Sequence, residues 1–501
     1  MGRVRLTDLQ SGFGGGLNTS ADEARLADDE VRQATNFLLT EYGAAVKRLG
    51  CRKLHASALT AAVQNGYGWQ RVSGTTDLVV AGGRLYTASY AAPPITYTDQ
   101  GLVLSTTVIP DFAAFRDAGA VECVYIADGG LLNKWDGTTF TANIAGTAAC
   151  TRIVVYNKRV YGITGTDQTL YWSDLNNGDS LGNAGAGGGS AIVRTFSDQR
   201  LTGLAVIQGE LYLYHVSGVS KFTGWTQDDI NISAGMSGVT SDVGTLAPRC
   251  IVALENEVIF LSDRGFYSAS AAGVVPISTQ IDGDVSGLSA TAQAASFAFH
   301  FRSRRELWFY LSGIGFYVFQ YRLRKWSGPM NGGYVNIVTK AGWESADENG
   351  VPIGLVGDID GFVKRAQMPG AFTDNVTSAG VAGTAIEGVL QMHRMFAGAF
   401  ENTKAFRWGY LLFNPLESED VVLEWDTQYG DDSYALPATG AGWGSGAWGS
   451  GTWGGSGVAT QRIPMSGRGS FIDLTIRDTG LLGGGLYSRF SLECFDMTRR
   501  G

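Results

Sequence analysis

The chain has 501 residues, more than a single hydrophobic core usually organises, so two or three domains are expected. Hydrophobic residues at 44% and charged residues at 17% describe a globular protein and exclude a disordered one. The net charge of −9 argues against a nucleic-acid grip built on clustered Lys and Arg.

Glycine is the compositional outlier, 70 residues against 11 prolines, scattered without a fixed period. That pattern suits many tight turns between short strands, so an all-β chain is expected. The five cysteines (Cys51, Cys123, Cys150, Cys250, Cys494) are far apart and form no C-x-x-C pair, so they are read as buried thiols of a protein made in a reducing cytosol. Met1 to Gln10 lacks the apolar stretch of a signal peptide, and no apolar run is long enough to anchor the chain in a membrane.

Residues 1–58 form a lead-in arm. Asp28 is placed to cap a short helix starting at Asp29, with Glu30 in its first turn, Val31, Ala34 and Leu38 on one face, and Gly43 as the stop. Glycine-rich sequence (Phe13-Gly14-Gly15-Gly16-Leu17-Asn18-Thr19) precedes it and a basic stretch (Lys47-Arg48-Leu49-Gly50) follows.

Between residues 59 and 384 one texture recurs. A turn-forming pair is followed by a charged, an apolar and usually an aromatic residue, as in Gly82-Gly83-Arg84-Leu85-Tyr86, Asn157-Lys158-Arg159-Val160-Tyr161 and Gln208-Gly209-Glu210-Leu211-Tyr212. Glu255-Asn256-Glu257-Val258-Ile259 and Arg304-Arg305-Glu306-Leu307-Trp308 continue it, with looser copies at Val124-Tyr125-Ile126 and Ile353-Gly354-Leu355. Each follows an apolar run and reads as a hairpin, with a third strand often close behind, as at Leu170-Tyr171-Trp172-Ser173. The repeat length is about 45 residues, within the range of propeller blades. A small sheet cannot cover its own apolar faces, and radial packing of blades does so. A β-propeller of six or seven blades is expected, a pair of β-sandwiches being the alternative.

Residues 385–501 read as a C-terminal β-sandwich, because Val421 to Asp426 and Phe471 to Arg477 alternate in the manner of half-buried strands. Within it, residues 440–457 carry Trp443, Trp448 and Trp453 at five-residue spacing in a glycine-rich run. Exposed tryptophans on such a loop are costly in water, so they are expected to dock either on a host-surface glycan or on the same chain or a neighbouring subunit.

The inventory for chemistry is thin. Four histidines (His55, His215, His300, His393) are far apart and read as structural. Asp174-Leu175-Asn176-Asn177-Gly178-Asp179 resembles a calcium loop but has its glycine one place early and no closing Glu, so a turn is expected. No nucleophile elbow or phosphate-binding loop is present. No catalytic residue, metal or cofactor is assigned, although carboxylate pairs formed only in three dimensions leave a polysaccharide hydrolase open. Two basic clusters (Arg302, Arg304, Arg305 and Arg322, Arg324, Lys325) fall on one expected blade and are assigned to a solvated or inter-subunit salt-bridged face, a DNA contact being the alternative.

Several stretches resemble bacteriophage tail proteins of the nozzle type. They are Gly14-Gly15-Gly16-Leu17-Asn18-Thr19, Arg25-Leu26, Asn36-Phe37, Tyr42 to Arg48, Tyr171-Trp172-Ser173-Asp174, Leu201-Thr202-Gly203-Leu204 running to Phe222-Thr223-Gly224, and Gly357 to Val363. Together they cover about a fifth of the chain. The resemblance implies a virion tail protein, synthesised in the host bacterial cytoplasm, that forms a six-fold ring of identical copies at the DNA exit channel. It further implies tail adaptor or tube proteins on one side, fibres or a tip on the other, and genomic DNA passing without sequence-specific binding. Phe13, Leu17, Asn18, Asn36, Lys47 and Arg48 are then candidates for an assembly arm. The alternatives are a minor tail-tip protein that holds a host-surface glycan through the tryptophan loop, and a propeller hydrolase.

Overall fold

A computed structural model describes residues 5–10, 12–40, 43–90, 93–101, 103–194, 199–224, 236–331, 340–371, 373–380, 383–396, 400–414, 421–436, 459–480 and 486–496. Seven four-stranded antiparallel sheets follow one another along the chain, and they are the blades of a β-propeller. Blades 1 to 6 span residues 63–99, 111–141, 152–192, 201–240, 252–276 and 297–330. Blade 7 takes three strands from 341–365 and its fourth, Arg52–Lys53, from ahead of blade 1. The inner strands (Val63–Arg71, Asp111–Arg116, Arg152–Tyr156, Leu201–Ile207, Val252–Ala253, Phe297–Phe301, Ala341–Ala346) each pack on the next, and the last packs on the first. The ring is therefore closed by strands from both ends of the propeller sequence.

The recurring turn pairs are two-residue hairpin loops. Gly82-Gly83, Asn157-Lys158 and Gln208-Gly209 all have positive φ at both positions, as a type I′ loop requires, and they join Ala81 to Arg84, Tyr156 to Arg159 and Ile207 to Glu210. Second strands are buried along nearly their whole length, as in Glu306–Leu311, because each lies between two neighbouring blades. The two loose repeat copies are also second strands, in blades 2 and 7. All five cysteines are buried free thiols.

The seam between blades 7 and 1 is tight and polar. A Cβ on Gly66 would lie 2.4 Å from the Trp343 ring, so only glycine lets these inner strands approach. Buried Asp77 accepts hydrogen bonds from Ser345 Oγ and Tyr97 Oη, and burial pushes its carboxyl from 3.8 up to about 7. The raised value means that the folded state holds the proton more tightly than the unfolded one. Its contribution to stability is complete below the ordinary carboxylate range and is lost as pH rises through about 7. The Tm advantage of Asp77→Asn over wild type should thus be smallest near pH 4, grow steadily as pH rises and reach about 2–4 °C by pH 8. Parallel Tm curves for the two proteins across that range would contradict this assignment.

The arm departs from expectation. Residues 30–35 and 37–39 are strands, not a helix, and Glu41 and Tyr42 lie outside the described residues. A register shift between Val31 and Gln33 inserts an extra residue, and Asn36 turns the chain with φ 58°. Val31, Ala34 and Phe37 then all face inward at three-residue intervals, which imitates helical periodicity. Arm and C-terminal segment, expected as separate units, form one β-sandwich. Its six-stranded sheet joins Gly16–Leu17 and Glu30–Thr35 to Gly388–Met392, Ile472–Asp478, Val421–Thr427 and Gly430–Ala435. Its seven-stranded sheet adds Arg5–Gln10, Phe37–Leu39 and Ala45–Lys47 to Lys404–Asn414, Ala459–Pro464, Arg468–Gly469 and Leu486–Asp496. The sandwich packs on the outer strand of blade 6 (Lys325–Met330), and one apolar core runs through the sandwich into blades 5 and 6.

Candidate functional site

Two places collect polar chemistry: the junction of the arm with both lobes, and the mouth of the propeller channel. At the junction the guanidinium of Arg48, fully buried, meets the equally buried carboxylate of Asp374 in a two-point pair, with Nη1 2.8 Å from Oδ1 and Nη2 2.5 Å from Oδ2. Arg48 Nε donates to Asn36 Oδ1 (2.8 Å) and Nη2 to the Asn331 carbonyl (2.7 Å). Asn36 Nδ2 donates to the Glu387 carbonyl (2.7 Å) and its Oδ1 also accepts from Asn331 N (3.0 Å). One buried cluster thus ties the arm to the end of blade 6, to the segment after blade 7 and to the sandwich.

Beside it, Lys47 Nζ donates to Asp478 Oδ1 (3.0 Å) and to the Gly480 carbonyl (2.9 Å), while Tyr487 Oη donates to Asp478 Oδ2 (3.0 Å). Burial, followed by the charge of Asp478, holds the Tyr487 hydroxyl well above its ordinary range, so it stays protonated as that donor. Phe13 and Leu17 lie in the shared core, and Asn18 Nδ2 donates to Glu30 Oε2 (3.0 Å), whose other oxygen accepts from Gln280 Nε2 (2.8 Å) ahead of blade 6. The six arm residues singled out by sequence are therefore engaged within the chain's own fold. Trp443, Trp448 and Trp453 lie outside the described residues.

The channel mouth was not legible as a site. A cavity of about 370 Å³ is lined by residues from every inner strand or the turn leading into it. Charged groups reach it from four blades. Asp111 accepts from Ile153 N (3.0 Å), and burial pushes its carboxyl up. Arg152 donates through Nη1 to the Thr151 and Ile109 carbonyls (2.8 and 3.3 Å). Arg249 donates through Nη1 to the Lys340 carbonyl (2.8 Å) and through Nη2 to the Ala295 carbonyl (2.7 Å), a tie across blades 5, 6 and 7. Glu344, pushed up to about 7 by burial, has Oε2 3.3 Å from Arg302 Nε, and its buried Oε1 has no partner among the described residues. Tyr67 and Phe112 stack in the wall at 5.7 Å.

The other candidates are structural. His55 Nε2 accepts from Val363 N (2.8 Å), so the ring proton sits on Nδ1 facing the Ser57 carbonyl (2.6 Å), and burial lowers its basicity further. The Asp174 to Asp179 loop is a turn in which Asp179 takes Tyr125 Oη (2.5 Å) and Lys134. Among the described residues no cluster of His, Cys, Asp and Glu could hold a metal ion. Of the basic clusters, Arg302, Arg304 and Arg324 pair with Glu344, Glu306 and Glu257.

No family model and no curated protein matches this chain. Similar solved structures include two of an extracellular domain from B. thetaiotaomicron, described as part of a hybrid two component system and of a one component system. They are 8% and 10% identical over 64% and 82% of this chain, each with a TM-score of 0.43. A GH74 enzyme of Niastella koreensis is 12% identical over 63% of the chain, with a TM-score of 0.35. The matches span 39%, 57% and 44% of those chains, and at such scores they carry no argument about activity.

Proposed function

We propose that this chain is a non-catalytic structural subunit of a phage tail, nozzle-like, assembled as a ring of identical copies around the DNA exit path. The observation that carries the reading is the arm junction. Asn36 and Arg48, two residues of the resemblance, tie the arm to the end of blade 6 and to the segment after blade 7 around one buried ion pair, while a third, Lys47, joins the sandwich's two sheets through another. A subunit that transmits load between adaptor and fibres needs its lobes held in fixed orientation, and a chain passing twice through the sandwich and once through blade 7 supplies this. In this reading the DNA path lies between copies, where the net charge of −9 disfavours sticking.

Cryo-electron microscopy of the particle carrying this chain tests the proposal. A closed ring of copies on the tail axis is the expected result. Peripheral copies, with the sandwich pointing away from the axis, would replace it with the receptor-binding alternative.

A further inference from the structure

We propose that the mouth of the propeller channel is a binding site for a small oxyanion, a carboxylate or phosphate group on a body no larger than about a monosaccharide, held between the guanidinium groups of Arg152 and Arg249. This goes beyond the structural role and does not rest on it.

The argument starts from charge. Arg152 and Arg249 line the same cavity. Burial first, and the Arg152 charge next, lower Arg249 to about 10. Among the described residues neither guanidinium lies within ion-pair distance of a carboxylate. Arg302 is paired with Glu344. Asp111 stands near enough to Arg152 to feel its charge, yet its hydrogen bond goes to Ile153 N. Two like charges in a partly desolvated cleft, one with a distant counter-charge and the other with none, are an unbalanced arrangement.

The donors point to what would balance it. A guanidinium carries five N–H groups in a planar fork. Arg152 engages only Nη1, so Nη2 and Nε are uncommitted, and Arg249 engages one N–H on each Nη. The carbonyl bonds fix both planes in advance, which is the preorganised geometry that oxyanions reward. A volume of about 370 Å³ sits at the small end of ligand cavities. The neutral tendency of the Glu344 carboxyl, pushed up to about 7, lessens repulsion of an anion below that pH.

Isothermal titration of the full chain with inorganic phosphate and, separately, with glucuronate tests this, using sodium chloride at matched ionic strength as control. Saturable binding of either anion with one site per chain is expected. Phosphate alone would assign a phosphate-bearing ligand, glucuronate alone an acidic sugar, and both a general oxyanion site. Arg152→Gln, whose loss severs no contact between blades 5, 6 and 7, should weaken binding at least about tenfold. Arg249→Lys keeps the charge without the fork and should weaken it as well. Absence of saturable heat with both anions overturns the proposal, as does unchanged affinity in a folded Arg152→Gln protein. Should Arg249→Lys fail to fold, the Arg152 variant and the wild-type titrations decide alone.

Discussion

Arg48→Ala is expected to lower stability by about 3–5 kcal/mol, the cost of leaving a buried charge without its partner. The substitution takes the guanidinium away from both oxygens of the Asp374 carboxylate, whose side chain has no access to solvent. It also removes a donor from Asn36 Oδ1 and from the Asn331 carbonyl, although Asn331 N still bonds Asn36. Calorimetry should show Tm falling by about 10 °C. Because the cluster spans arm, blade 6 and the segment after blade 7, the single transition should also broaden toward two, sandwich and propeller melting apart. The double substitution Arg48→Met with Asp374→Leu separates charge from shape: with no stranded ion it should recover a large part of the loss. A Tm within 2 °C of wild type for Arg48→Ala would mean that the junction carries no load, and the structural role built on it would fall with it.

Sequence reading reached the propeller because its signal is local. A two-residue loop with positive φ leaves a turn pair in the sequence, and a strand packed on both faces leaves an apolar run. Blade number stayed open at six or seven, since blade 7 borrows Arg52–Lys53 from outside the repeat and breaks its own pattern. The arm was misread for a physical reason. A bulge at Arg32 and the left-handed Asn36 break the strand alternation, so Val31 and Ala34 enter one core and Leu38 another, and the spacing read as a helix face spans two strands. Its merger with the C-terminal segment is a pairing across most of the chain's length, for example Arg5 with Phe495, and such pairing has no local trace. The arm residues expected to serve assembly make their described contacts within the chain itself. The channel mouth was invisible because Asp111, Arg152, Arg249 and Glu344 come from four separate blades and meet only when the ring closes.

The second large effect belongs to Trp326, and it should differ from the first in kind. Its ring is fully buried on the outer strand of blade 6, with centroids 4.6 Å from Phe266, 4.8 Å from Phe319 and 5.9 Å from Phe309, and its Nε1 donates to the Ile277 carbonyl (2.8 Å). Trp326→Ala is expected to cost about 3–5 kcal/mol, through lost burial and the cavity left among three rigid aromatic rings that cannot collapse into it. Trp326→Phe keeps most of the packing and gives up the Ile277 bond, so it should fall between alanine and wild type. The contrast with Arg48 lies in cooperativity. Trp326 sits in the core that runs continuously from blades 5 and 6 into the sandwich, so weakening it weakens both lobes together. Unfolding of Trp326→Ala, followed by far-UV circular dichroism and by tryptophan fluorescence, should give one coincident transition at lower temperature. Two separated transitions in that variant would mean that the apolar core is what keeps the lobes melting together, and that the buried polar contacts cannot do so alone.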